Sequence, residues 1–232
     1  MKLQIALLSL ACLCGCAPSV PGSGTIKTES PSVSGATVVN LSGVGELHIT
    51  QGPQESLSVT TDDNLLPLLD TRLEGEVLTL GQKSNENLKP TRGIVYKLCL
   101  KEVSKITLSG VGTVDASGLH RKDLTVVASG AGEIQLKDLQ LELLSVTLSG
   151  AGRIVADGIA RQQALDSSGV GSFEGKGLEG EAVTISIGGT GSASVNATKT
   201  LDANVSGTGS VTYFGKPTVS KKVTGVGSVN PG

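Results

Sequence analysis

A Gly-x-Gly pair returns along this chain at nearly constant spacing, and that regularity constrains the fold more than any single residue does. The pairs are Gly43/Gly45, Gly110/Gly112, Gly130/Gly132, Gly150/Gly152, Gly169/Gly171, Gly189/Gly191, Gly207/Gly209 and Gly225/Gly227. From Gly110 onward the steps between first glycines are 20, 20, 19, 20, 18 and 18 residues. A period near 20 with indels of one or two residues predicts a solenoid, because each repeat can bury its apolar face only against its neighbours.

Apolar and polar residues alternate on both sides of each pair, the period-2 signal of a half-buried strand. Before the pair come Ile106 and Leu108, Val126 and Ala128, Val146 and Leu148, Ile185 and Ile187, Ala203 and Val205. After it come Val114, Ile134, Ile154, Phe173, Ala193, Val211 and Val229. These are the expected inward residues. Thr113, Glu133, Arg153, Ser172, Ser192, Ser210 and Ser228 form a mixed column expected to face solvent. A third apolar point recurs at Leu119, Leu139, Ile159 and Leu178, and a strand leads on through Leu124, Leu144, Val183 or Leu201. Three short strands per repeat predict an all-β chain built as a right-handed parallel β-helix, whose coils stack at about 4.8 Å.

The Ser-Gly-x-Gly stretches lie between strands and not at a strand-to-helix junction, so they lack the context of a dinucleotide or phosphate loop. The glycines are expected to be structural corners, adopting backbone conformations that side chains disfavour. Ser109, Ser129, Ser149, Ser168, Ser206 and Thr224 are expected to stack as a hydroxyl ladder that satisfies corner backbone groups. Residues 37–104 are less regular and read as an N-terminal β-rich cap before the repeats of 105–232. In that cap, TVVNLSGVGELHIT and ESLSVTT suggest a hairpin, and Pro67 interrupts a short turn-like stretch. Cys99, in GIVYKLCL, is expected to be a buried thiol.

At the other end, Lys2 precedes the apolar run LQIALLSLACLCG, too short to span a membrane as a mature helix. Residues 1–15 therefore read as a lipoprotein signal peptide. Leu13-Cys14-Gly15-Cys16 fits a lipobox, which makes Cys16 the lipidated residue. Ala17, not Asp, follows the cysteine, and by resemblance to enterobacterial lipoproteins this implies export to the outer membrane. Residues 16–36, rich in Pro, Ser and Gly, read as a flexible tether. Cleavage before Cys16 leaves Cys99 as the one other cysteine, with no structural disulfide available.

Composition narrows the function. A formal net charge of -2 supplies no basic footprint, so nucleic acid is not an expected partner. His48 and His120 have no ligand-spaced partners, and no metal or cofactor is expected. Only Tyr96, Phe173, Tyr213 and Phe214 are aromatic, which argues against a glycan ligand. Tyr213 and Phe214 lie in the penultimate repeat, where they are expected to support self-association or contact with an envelope protein.

The opening NLSGVGELHITQG, the segment DDNLLPLLDTRLEGEVLTL and the serial SG[VA]G repeats together resemble the DUF2807 family, the "putative auto-transporter adhesin, head GIN domain". The resemblance covers roughly residues 37 to 229. It implies a β-helix-like fold in the cell envelope, with adhesion suggested by the family's description, and it brings no catalytic residues. The expected function is a lipid-anchored envelope module for binding, adhesion or scaffolding, without catalysis. The alternative is a polysaccharide-active β-helix lyase or hydrolase, for which Asp115, Glu133 and Glu174 are the carboxylates in near-corresponding positions.

Overall fold

The computed structural model describes residues 19–83 and 87–232, and among them it contains no α-helix. Residues 1–15, expected to be a signal peptide, and Cys16 lie outside the described residues.

Short strands open the chain: β1 (Ser19–Pro21), β2 (Ile26–Glu29), β3 (Val38–Leu41), β4 (Val44–Gln51) and β5 (Ser56–Asp62). A 3-10 turn at Leu66–Leu68, with Pro67 inside it, leads to β6 (Leu69–Glu74). Next come β7 (Val77–Gln82), β8 (Asn87–Lys89), β9 (Val95–Leu100), β10 (Lys105–Leu108), β11 (Val111–Ser117) and β12 (His120–Ala128). The long strands β13 (Ala131–Leu148), β14 (Ala151–Ser167), β15 (Val170–Ile187) and β16 (Thr190–Val205) each bend round the solenoid. The last are β17 (Thr208–Phe214), β18 (Thr218–Val223) and β19 (Val226–Pro231).

Consecutive coils pair in parallel with the glycines in register. Gly112 sits on Gly45, Gly132 on Gly112, and Gly152 on Gly132; Gly171, Gly191, Gly209 and Gly227 continue the column. The expected inward residues are buried, from Ile106, Val114 and Ile134 to Phe173, Val211 and Val229. They form one continuous apolar interior. This is the parallel β-solenoid that the repeat requires, and the alternation explains it: a period of 2 sends every second side chain inward on each flat side.

Ile159 departs from its expected place and is 51% exposed. Gly158, not Ile159, pairs with Leu139 and Leu178, while Ile159 stands beside Gln140 and Glu179. That coil is one residue shorter than its predecessor, and the register shifts that absorb the deletion turn Ile159 outward and bury Ala160 instead.

The segment 37–104 is not a uniform cap. β3 and β4 already form a coil, paired in parallel with β10 and β11. The chain then turns back: β7 and β9 stack in parallel on the other side of β3 and β4, so a later piece of sequence forms an earlier layer. Beyond it, β6 adds antiparallel to β7, and β5 antiparallel to β9. The hairpin expected between β4 and β5 is therefore absent, because β9 lies between them and bonds to both.

The tether expected over 16–36 also differs. From Ser19 the chain forms β1, parallel to β8, and β2, antiparallel to β5. Asp62 fixes it there. The buried Asp62 carboxylate accepts hydrogen bonds from the Gly24 N–H (2.8 Å), the Thr91 N–H (2.8 Å) and the Thr91 hydroxyl (2.8 Å). Burial alone pushes its pKa up, but these donors outweigh burial and hold it below the ordinary value of 3.8. Low apolar content hides this anchorage in the sequence, since the partner strands lie between 30 and 68 residues away.

Candidate binding surface

Each Gly-x-Gly corner is held by a shared acceptor. The N–H groups of Ser129 and Gly130 both donate to the Leu108 carbonyl (3.0 and 3.0 Å), and the Ala131 N–H donates to the Gly110 carbonyl (3.0 Å). The pattern repeats coil by coil, so the corner backbone is satisfied by backbone. The expected hydroxyl ladder is therefore not needed to satisfy the corners. Among the described residues Ser109 alone of that row donates to another side chain, Asn40 at 3.0 Å.

The reason for glycine also differs from the expected one. Gly110, Gly130, Gly150, Gly169, Gly189, Gly207 and Gly225 do not adopt positive φ. Instead, a Cβ on any of them would overlap the backbone of the coil before it; at Gly150 it would lie 2.6 Å from the carbonyl carbon and oxygen of Ser129. The second glycines meet the same obstacle, the carbonyl oxygen of the glycine one coil earlier. Gly45, Gly112 and Gly132, with φ of 153°, 159° and 152°, also have the expected backbone conformation, but along the whole ladder stacked backbones approach too closely for a side chain.

With no side chains to shield it, the middle position of each pair stands out. Val44, Val111, Ala131, Ala151, Val170, Thr190, Thr208 and Val226 stack in one exposed column, and Val226 is 78% exposed. Beside it Ser172, Ser192, Ser210 and Ser228 stack in register. Together with the glycines they line a shallow groove of about 610 Å³ along the axis.

The three carboxylates of the enzyme alternative sit on the outer face of the sheet after the corner, and each is engaged. Asp115 lies 3.1 Å from Lys137 Nζ. Glu133 accepts a hydrogen bond from Gln135 Nε2 at 3.0 Å. Glu174 pairs with Arg153 and, by hydrogen bond and charge, holds that guanidinium's pKa above its ordinary value. All three carboxylates are partly exposed. Among the described residues no group of His, Cys, Asp and Glu is placed to hold a metal ion, and no helix is long and apolar enough to cross a membrane.

Tyr213 and Phe214 are both half-buried. Tyr213 packs partly against the interior, and Lys176 Nζ lies 4.6 Å from the Phe214 ring centre, a cation–π contact within the chain. Cys99 is not buried as expected. Leu98 and Leu100 take the inward positions of β9, which puts the thiol on the outer face, half-buried.

These features define a class: a parallel β-solenoid whose interior is mainly apolar packing, with few buried polar groups such as Asp62 and Gln163, and whose other polar side chains stand in outward columns. The chain belongs to the DUF2807 family, described as "Putative auto-transporter adhesin, head GIN domain", whose model matches residues 35–217. Among solved structures it is similar to a putative adhesin from Bacteroides fragilis, at 27% identity and a TM-score of 0.88, covering 92% of this chain and 100% of the other. It is also similar to a protein from Parabacteroides distasonis described as a putative lipid binding protein, at 26% identity and a TM-score of 0.77, covering 92% and 99%. A putative adhesin from the same organism, at 23% identity, a TM-score of 0.74 and coverage of 92% and 100%, shares the fold. No curated protein shows significant similarity to the chain.

Proposed function

We propose that this protein is a lipid-anchored binding module of the cell envelope, acting in adhesion or as a scaffold and without catalysis. The observation that carries the reading is the outer surface itself. An exposed in-register column runs beside the glycines through every coil, joined in the last four by stacked Ser172, Ser192, Ser210 and Ser228, while Asp115, Glu133 and Glu174 are each tied to a neighbour. Such a surface repeats a contact along an axis, and the carboxylates that glycoside hydrolysis would need as acid and base are already engaged by Lys137, Gln135 and Arg153. The family's description and the names of its relatives, adhesin and lipid-binding protein, support a binding role.

Anchoring at Cys16 is the finer part of the proposal and rests on LCGC behind a short apolar run. Cells expressing the protein should incorporate labelled palmitate into it, and Cys16→Ala should abolish both the label and membrane fractionation. A Cys16→Ala protein that is still labelled and still sediments with membranes would defeat the anchor. Contact with a second copy or an envelope protein through Tyr213 and Phe214 belongs to the same proposal. Light scattering that finds an unchanged monomer with and without Phe214→Ser removes those residues from it.

A further inference from the structure

We propose that the outer face where β5, β9 and β4 meet binds a phosphate ester, with Lys97 supplying the charge and Ser30, Thr50, Ser56 and Ser58 the hydroxyl donors. Pairing brings these residues together. Ser58 stands opposite Lys97, which stands opposite His48; in the next row Ser56 stands opposite Cys99, which stands opposite Thr50. Ser30 follows directly on β2, whose Glu29 pairs with Val59. The patch is concave, a cavity of about 510 Å³ lined by these side chains, with the backbone of the inward-facing Leu57 and Leu98 as its floor. That lies within the roughly 300–1,000 Å³ of small-molecule clefts.

Charge selects the ligand class. His48 Nε2 lies 3.0 Å from Glu46, and Asp115, 3.9 Å from His48 Nδ1, lies 3.1 Å from Lys137, so each neighbouring carboxylate already has a nitrogen partner other than Lys97 beside it. Lys97 takes part in no ion pair or side-chain hydrogen bond among the described residues, and neither do the hydroxyls of Ser30, Thr50, Ser56 and Ser58. One unpaired ammonium and four free hydroxyls offer more donors than the two oxygens of a carboxylate engage, and they suit a phosphate group held by a compact point charge. The cavity is several times larger than a phosphate, which leaves room for the organic part of an ester.

Cys99 lines the same cavity and reports on its occupancy. The full chain is alkylated with iodoacetamide and modification at Cys99 is followed by peptide mass spectrometry. Glycerol 3-phosphate at about ten times its Kd should slow the reaction about tenfold by mass action. Lys97→Met should abolish this protection and Ser58→Ala should weaken it, while Lys222→Met, on β18, should leave it intact. A second arm uses vesicles of phosphatidylglycerol against phosphatidylcholine: protection by the former alone, lost in Lys97→Met, assigns the phosphate to a lipid headgroup, and protection by the soluble ester assigns it to a free metabolite. The inference is overturned if neither protects Cys99, or if protection survives Lys97→Met. Neither arm depends on the anchor at Cys16.

Discussion

Replacing Gly150 tests why the corner is glycine. A Cβ there would lie 2.6 Å from the Ser129 carbonyl carbon and oxygen and closer still to the Gly130 oxygen, where ordinary contact begins near 3.4 Å. Coil 150–167 would have to retreat by about an ångström or more. Three bonds oppose that movement: Ser149 N–H and Gly150 N–H to the Ala128 carbonyl (2.9 and 3.0 Å) and Ala151 N–H to the Gly130 carbonyl (3.1 Å). Overpacking costs about 1–3 kcal/mol, and loss of one of these bonds adds about 0.5–1.5 kcal/mol. Gly150→Ala should therefore destabilise by about 2–4 kcal/mol, lowering Tm by about 5–15 °C for a chain of this size, read by far-UV circular dichroism. Gly118 supplies the contrast. Its φ is +65° and nothing lies within 4 Å of an added Cβ, so its substitution costs conformation alone, about 1–2 kcal/mol. Asn tolerates that conformation. Gly118→Asn should thus recover much of the loss seen in Gly118→Ala, whereas Gly150→Asn should be no better than Gly150→Ala. If Asn rescues position 150, backbone conformation and not inter-coil crowding is the cause, and the reasoning fails.

Ile154→Ala, at a fully buried position, should cost about 2–5 kcal/mol. Its neighbour Arg153→Ser should cost no more than the roughly 0–1 kcal/mol of an exposed ion pair, so equal melting shifts would break the inside–outside assignment. Because the pKa of Asp62 is held below its ordinary value, its contribution to stability is complete above about pH 4 and is lost as pH falls through the lowered folded value. Acid titration followed by hydrogen exchange at Gly24 and Thr91 should show the N-terminal strands releasing, and in Asp62→Asn that acid-dependent step should vanish. No polysaccharide or ester substrate should be turned over; activity that disappears on changing Asp115, Glu133 or Glu174 would reverse the non-catalytic reading.

The columns are legible in the sequence because a repeat displays its inside and outside many times over. Val114, Ile134, Ile154 and Phe173 report one another's orientation, so a single ambiguous strand is decided by its neighbours. Where the repeat lapses, that redundancy goes. Periodicity misplaces Ile159 because a one-residue deletion moves side chains to the other face without altering their hydrophobicity. It misplaces Cys99 for a related reason: VYKLCL alternates cleanly, but a cysteine fits either phase, and Leu98 and Leu100 take the interior. The placement of β9 between β4 and β5, and the anchorage of residues 19–29 by Asp62, are pairings across 30 to 50 residues that local periodicity does not encode. The glycine ladder is plain in the sequence but its cause is not, since crowding between coils leaves the same residue type there as a left-handed turn.

Stacking also limits where individual chemistry can arise. A side chain within the repeat has an in-register neighbour one strand away on each side and diagonal neighbours two residues along. Stacked positions therefore recur as Ser on Ser, Thr on Thr or Glu133 on Arg153, and charges also pair on the diagonal, as with Asp115 and Lys137 or Arg153 and Glu174. Each such pairing lowers the charge available to a ligand. At the N-terminal end the parallel coil β9 meets the antiparallel β5, and the residues that become neighbours come from different contexts in the sequence. Lys97 there faces Ser58 on one side and His48 on the other, with no carboxylate in its own row until Asp115, which Lys137 already occupies. Among the described residues Lys105, Lys122 and Lys222 in the repeat have no ion pair either, so what sets Lys97 apart is the cavity it shares with the hydroxyls of Ser30, Thr50, Ser56 and Ser58, and that cavity forms where the antiparallel β5 joins the parallel coil.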